Sequence, residues 1–327
     1  MEKSTEIKNS ELLRTLIHKG AGDKKLVLTD TVSNRIGYEL SIIERQGFTD
    51  HFILYSRIAE ICNELNLLRS CGRGNSINSM VNYCLDITKI NPVEENLLFE
   101  TFVRPKQKHL PDIDIDIPVG YQTNVIERLK QKHPEYNIYP IAISIEEDVN
   151  KDKNDKGIIV HNNIAYRIHP CGIIITHEKL TDYIFLHEGQ EFYHVLDVHN
   201  DPIFNNNKID ILGLSYLNRL QLIVNEISEE YHPYQLPLND KQVFDFIASG
   251  DLKNIFFFNS PPDISQIFAQ SKPNSINDLL NIKLVLHPTF SKPHSLSCSI
   301  LGYWGCFYKT HFRKEFEMAF SKELTEY

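Results

Sequence analysis

Leu110-Pro111-Asp112-Ile113-Asp114-Ile115-Asp116-Ile117 is the stretch whose reading decides the fold. Run as a strand, it alternates its side chains between two faces, so Asp112, Asp114 and Asp116 share one face and the isoleucines the other. Three carboxylates on one edge repel one another and raise each other's pKa. A divalent cation removes that penalty, and paired carboxylates holding ions ~3.5–4 Å apart are the apparatus of phosphoryl-transfer enzymes. A solvated strand face with apolar backing reads the same letters equally well. Both readings make the segment a strand.

The surrounding chain of 327 residues is 42% hydrophobic, enough for one large or two ordinary domains. Its 34 Lys+Arg against 43 Asp+Glu leave a formal charge of −9. A protein that grips nucleic acid over many phosphates carries a basic balance or a dense basic stripe. Any such contact here is expected to be local, or shared with a partner. Cys62, Cys71, Cys84, Cys171, Cys298 and Cys306 form no C-x-x-C pair. That pattern suggests neither a zinc ribbon nor a disulfide framework, and fits reduced thiols in the cytoplasm. Met1 to Gly20 is charged without an apolar core, so no signal peptide is expected. No apolar run reaches spanning length, so no membrane association is expected.

Outward from the acidic stretch, periodicity predicts helices over Ser10–Lys19, Asn34–Gln46, Phe52–Leu67, Ser76–Leu85 and Asn124–Lys132. Strands are predicted at Pro111–Ile117, Tyr139–Ile145, Gly157–His161, Ala165–Ile168, Gly172–Thr176 and Lys208–Leu212. Glu146 to Lys156 reads as a charged loop. A helix over Ser215–Ser228 and a linker over Tyr231–Pro237 lead into a mostly helical remainder, broken at Pro261-Pro262 and Pro288. The order of elements predicts a mixed α/β domain followed by a smaller helical part. Six histidines between His161 and His199 stand at no spacing that reads as a metal site. Arg104, Lys106 and Lys108 alternate just before the acidic strand. They fit a phosphate backbone, but an edge strand using cations to deter pairing explains them better.

Three constellations then follow one another. The first is Ser70-Cys71-Gly72-Arg73-Gly74-Asn75-Ser76-Ile77-Asn78-Ser79, a glycine turn opening a helix; the second is the acidic strand; the third is Lys208-Ile209-Asp210-Ile211-Leu212-Gly213-Leu214. Together they resemble the palm of the bacterial DNA polymerase III alpha subunit family, which reads G-P-G-R-G-S-x-x-G-S, P-D-x-D-x-D-F and K-F-D-F-L-G-L. Arg35 to Phe48 is similar to the helix that opens that palm, and His169-Pro170-Cys171-Gly172 to its H-A-x-G strand. Leu236 to Lys241 resembles the start of its fingers, and His294 to Phe316 the segment closing its core. The likeness is collinear from about residue 10 to about residue 320.

The resemblance implies an α/β (α+β) fold: a nucleotidyltransferase-like palm with a mixed sheet flanked by helices, plus a small helical fingers remnant. It implies a helical lead-in over 1–33, a palm over 34–230 with a shortened insertion near 118–165, and residual fingers with a closing helix over 231–327. Family members are longer, and a truncated version is expected, without phosphoesterase domain, thumb, most of the fingers or clamp-binding region.

By position, Asp112, Asp114 and Asp210 match the family's catalytic, metal-binding aspartates, which implies two Mg²⁺ (or Mn²⁺) ions. Asp116 is expected to be a supporting carboxylate. Gly72, Arg73, Gly74, Ser79 and Lys208 are the implied nucleotide-binding residues; a solvated strand lysine is an equal reading of Lys208. The implied partners are a DNA primer–template and a deoxynucleoside triphosphate, with other replication or repair proteins as further candidates. Departures from the pattern are specific. Asn75 and Asn78 replace a serine and a glycine, Phe257 and Asn259 replace a glutamine and a glutamate, and His287 stands where the family has the arginine of R-P-G-P. Two rivals to a DNA-directed nucleotidyltransferase therefore stay open: a catalytically silent paralogue that binds protein or DNA as a scaffold, and transfer of single nucleotides to a non-DNA acceptor.

Overall fold

A computed structural model of the chain describes residues 2–107, 109–145, 158–258 and 264–322. Three helices lead in: α1 (Glu2–Asp23), α2 (Asp30–Arg45) and α3 (Thr49–Glu64). The Thr29 hydroxyl accepts the Val32 amide and starts α2, as expected of an N-cap threonine. The helix predicted over Ser76–Leu85 breaks in two. A 3₁₀ turn covers Gly74–Asn78, and α4 is only Met80–Cys84. The break is at Ser79, whose extended backbone (φ −103°, ψ 124°) caps α4. Fully buried Glu39 of α2 explains why such a short helix persists. Its carboxylate accepts the amides of Met80 and Val81 and the Ser79 hydroxyl, and Arg35 pairs with it at 2.6 Å. Burial pushes the Glu39 carboxyl up, against the pull of those donors.

The sheet begins with β1 (Asp114–Ile117), shorter than predicted, because Asp112 precedes the first ladder bond. After α5 (Gln122–Lys132) come β2 (Asn137–Ile145), β3 (Ile158–His161) and β4 (Ile164–Thr176). The charged loop expected over Glu146 to Lys156 lies outside the described residues. The two segments predicted at Ala165–Ile168 and Gly172–Thr176 are one strand, since β4 pairs with β2 through both halves, with a register shift between Pro140 and Ala142. A hairpin missing from the sequence reading follows, β5 (Ile184–His187) and β6 (Gln190–Val195). It turns at Glu188-Gly189, whose φ values of +49° and +81° suit a tight hairpin turn. Then α6 (Pro202–Asn207) leads directly into β7 (Lys208–Gly213).

Strand order is β1-β7-β4-β2-β6-β5, with β3 on β4. The β1/β7 and β2/β6 pairs are parallel and the rest antiparallel. One apolar core joins α1–α5 to Ile113, Ile115, Ile117, Ile209 and Ile211, so the lead-in helix packs with the sheet domain through Leu13, Ile17 and Ala21.

A second core gathers α7 (Ser215–Val224), α8 (Lys241–Ser249), α9 (Ile264–Ser271), α10 (Ile276–Leu286), α11 (Lys292–His311) and α12 (Arg313–Ser321). It also takes Leu68, Cys71, Ile77 and Leu97 from the first half of the chain. The glycine turn thus lies between the two cores. Among the described residues no helix is long and apolar enough to cross a membrane.

Candidate active site

Parallel pairing of β1 with β7 sets Asp114 directly opposite Asp210. Neighbouring residues on one face of a sheet are close enough for their side chains to interact. Asp112, just ahead of β1, completes the group: carboxylate oxygens of Asp112, Asp114 and Asp210 all lie within 4.8 Å of one another. These are the three aspartates that the resemblance singled out, brought together from segments almost a hundred residues apart. Helix α3 supports both segments. His51 sits against the Pro111 carbonyl at 2.9 Å, and the Tyr55 hydroxyl accepts the Asp210 amide at 3.4 Å. Burial holds His51 down at about 4, so its ring is neutral near pH 7 and Nε2–H donates to Pro111. Sequence reasoning missed this pair. The available signal was two polar-tipped aromatic residues at i, i+4 on the buried, mostly apolar face of an amphipathic helix.

Electrostatics mark the centre of the group. Burial, and then the nearby charges of Asp112 and Asp210, push the Asp114 carboxyl up to about 7. Two cations of the chain already oppose these acids. Lys208 forms an ion pair with Asp210, and Arg73 lies 3.6 Å from Asp114 and 3.3 Å from Asp116. An oxygen-only set of this kind suits a hard divalent ion, which would relieve the repulsion that the raised Asp114 carboxyl records.

A raised carboxyl has a defined consequence for stability. In the unfolded chain an aspartate loses its proton near pH 4, but folded Asp114 keeps it to about 7. The folded state therefore holds the extra proton between those values, and stability falls as pH rises through that window. Urea midpoints in EDTA are expected to drop from pH 5 to pH 8 more steeply for wild type than for Asp114→Asn. Stabilisation by Mn²⁺ is expected to grow over the same interval, because proton and ion compete for one carboxylate. Equal slopes for the two proteins would contradict this origin.

The other implied residues divide. Asp116, expected in support, is buried; it accepts from Ser70 at 2.8 Å and from Arg73. Gly72 (φ +117°) and Gly74 (φ +56°) flank Arg73 and let the turn fold back toward the acids. A Cβ at Gly72 would lie 2.8 Å from the Thr88 methyl, so no larger residue fits there without a shift. The Ser297 hydroxyl of α11 donates to the Gly72 carbonyl at 2.6 Å, tying the helical part to the turn.

Ser79 is fully buried, and its hydroxyl donates to Glu39 at 2.7 Å. Phe257 and His287 join an aromatic cluster with Phe290 and His294. Asn259 lies outside the described residues.

Carboxylates converging from adjacent strands of a mixed, helix-flanked sheet define the class: this is a palm-like domain. Residues 11–157 match the bacterial DNA polymerase III alpha NTPase domain, and residues 213–295 the finger domain of the same subunit. Asp112 and Asp114 fall in the first match, and Asp210 between the two. The DNA polymerase III alpha subunit of Halalkalibacterium halodurans is 25% identical over 85% of this chain. Those of Bacillus subtilis and Staphylococcus aureus are 24% identical over 78% and 81%. The chain belongs to the bacterial DNA polymerase III alpha subunit family. It spans 28–30% of the length of these relatives.

Proposed function

We propose that the chain supplies a metal-dependent nucleotidyl-transfer palm, in which a primer 3′-hydroxyl attacks the α-phosphate of a deoxynucleoside triphosphate and pyrophosphate leaves. The observation that carries this reading is the in-register opposition of Asp114 and Asp210 with Asp112 alongside. These three side chains would hold Mg²⁺ or Mn²⁺, two ions in the fullest form. Ions bound there supply the lowered pKa of the attacking hydroxyl and the neutralisation of phosphate charge. The chain's own groups do the rest. Arg73, fixed by the Gly72–Gly74 turn, and Lys208 on β7 present cationic donors beside the acids, suited to orienting triphosphate oxygens.

A second reading is a non-catalytic scaffold of the same family. It is favoured by the pairing of Lys208 with Asp210 and of Arg73 with Asp114 and Asp116, which already balances part of the acidic charge. It is also favoured by the aromatic cluster at Phe257 and His287. Primer extension with Mg²⁺ and with Mn²⁺, on the full chain, separates the two. Elongated product that disappears in Asp114→Asn supports the enzyme. Mn²⁺ binding without extension on DNA, and without labelling of any acceptor by a radiolabelled nucleotide, supports the scaffold.

A further inference from the structure

A sulfur atom lies beside the group formed by Asp112, Asp114 and Asp210. Among the described residues, His169, Cys171 and Asp210 form a second set whose ligand atoms all lie within 4.8 Å of one another. Asp210 belongs to both sets. Its Oδ2 pairs with Lys208, and its Oδ1 accepts from the Cys171 thiol at 3.8 Å. Cys171 is also the one cysteine of the six that is not buried.

Cys171 is held in place from two sides. Gln122 of α5 donates to its carbonyl at 3.0 Å, and its amide donates to His169 Nδ1 at 3.3 Å. The His169 ring folds over Gly172, which pairs with Asp210 in the sheet and donates its own amide to Nδ1 at 2.7 Å. A Cβ at Gly172 would lie 2.8 Å from that nitrogen, so a larger residue there would push the ring aside. With Nδ1 accepting two amides, the proton of the neutral ring sits on Nε2, and neither nitrogen has a lone pair for an ion. His169 is therefore a positioning residue, and the sulfur and the carboxylate are the available ligands.

Sulfur changes which ions the centre can take. Hard ions such as Mg²⁺ and Mn²⁺ gain little from a thiolate, whereas Zn²⁺ is bound by sulfur and carboxylate alike. A tetrahedral zinc with ordinary bond lengths separates sulfur from oxygen by about 3.6 Å. The 3.8 Å between Cys171 and Asp210 is close to that span. We infer that Cys171 and Asp210 form a zinc site that shares Asp210 with the carboxylate centre, so that bound Zn²⁺ displaces the hard ion and switches the centre off. The thiol proton leaves to solvent as the Zn–S bond forms, with no change of oxidation state. Asp114, opposite Asp210 in register, and water supply the remaining oxygens. Cys171 stands at the open position of H-A-x-G, so the site is this chain's own rather than part of the pattern it matches. The competition with the hard ion rests on the function proposed above; zinc binding at Cys171 and Asp210 does not.

Co²⁺ is the probe, because it takes zinc's place and a cobalt–thiolate bond absorbs in the near ultraviolet. The full chain titrated with Co²⁺ is expected to develop that band, and added Zn²⁺ to bleach it. Cys171→Ser is expected to lose the band and to bind Zn²⁺ about 100-fold or more weakly, with Mn²⁺ affinity by calorimetry unchanged. Asp210→Ala is expected to lose the band as well. Alkylation of wild type by iodoacetamide, read at each cysteine by mass spectrometry, needs no variant to fold. Zn²⁺ is expected to protect Cys171, and Mn²⁺ to leave it reactive. No band in wild type, a band that survives in either variant, or equal reactivity of Cys171 under Zn²⁺ and Mn²⁺ would each overturn the inference. Bound Mn²⁺ that Zn²⁺ fails to displace would overturn the shared ligand. A band lost in Cys171→Ser, in a protein that binds no Mn²⁺, upholds the zinc site and defeats only the hard-ion reading.

Discussion

Calorimetric titration of Asp210→Ala with Mn²⁺ is expected to show affinity reduced by more than about 100-fold relative to wild type. Groups that only orient a metal ligand are worth 10–100-fold when lost, so removal of a ligand itself is expected to cost at least that much. Asp210 is the informative choice because it is the one acid of the three from the second chain segment. Its loss leaves Asp112 and Asp114 on a single segment, and frees the Lys208 ammonium that had been paired with it. A free cation beside the two remaining acids further disfavours a divalent ion. Asp112→Ala is expected to weaken binding as well, while Asp116→Asn is expected to act mainly on stability, since that carboxylate is engaged by Ser70 and Arg73. Retention of wild-type Mn²⁺ affinity by Asp210→Ala would show that the ion sits elsewhere. Far-UV circular dichroism on the same sample establishes that the fold has survived.

Asp86→Ala is expected to destabilise the protein by about 3–5 kcal/mol, the usual cost of stranding a buried charge. Arg69 is 1% exposed, and its guanidinium reaches Asp86 at 2.7 Å. Lys24 and Lys89 meet the same carboxylate at 2.6 and 2.7 Å. Burial opposes ionisation of Asp86, but Arg69, then Lys89 and Lys24, outweigh it and hold the carboxyl far below its usual range. The sign follows. Folded Asp86 stays ionised after the unfolded chain has begun to protonate near pH 4, so its stabilisation is complete above that value and is lost as pH falls toward the folded pKa. Urea denaturation at pH 7 reads the effect as a lower midpoint. Asp86→Asn separates charge from backbone, because asparagine tolerates the φ of +60° at this position and can still accept a hydrogen bond. A change below about 1 kcal/mol in Asp86→Ala would mean that Arg69 finds water or another partner.

Individual elements differ in how far local sequence specified them. Helices α2, α3 and α5 were legible because each has a periodic apolar stripe that any packing partner must respect. The Ser76–Leu85 helix was misread because its break depends on Glu39, some forty residues away, taking the amides that a continuous helix would keep for itself. The β5/β6 hairpin went unread although Glu188-Gly189 marked its turn. Its strands are short, and Phe185 and Phe192 find their apolar partners across the sheet rather than along the chain.

For the candidate site, the alternation of Asp112, Asp114 and Asp116 against three isoleucines determined a strand with one acidic and one apolar face, and the collinear motifs determined the family. Which acids act together was decided only in three dimensions. Parallel pairing is set by the packing of distant segments, so the register that places Asp210 across from Asp114 is written in no local pattern. The same packing turned Asp116 onto Ser70 and Arg73 and buried Ser79 beside Glu39. Side-chain chemistry is local, whereas neighbours, burial and charge balance are properties of the assembled chain.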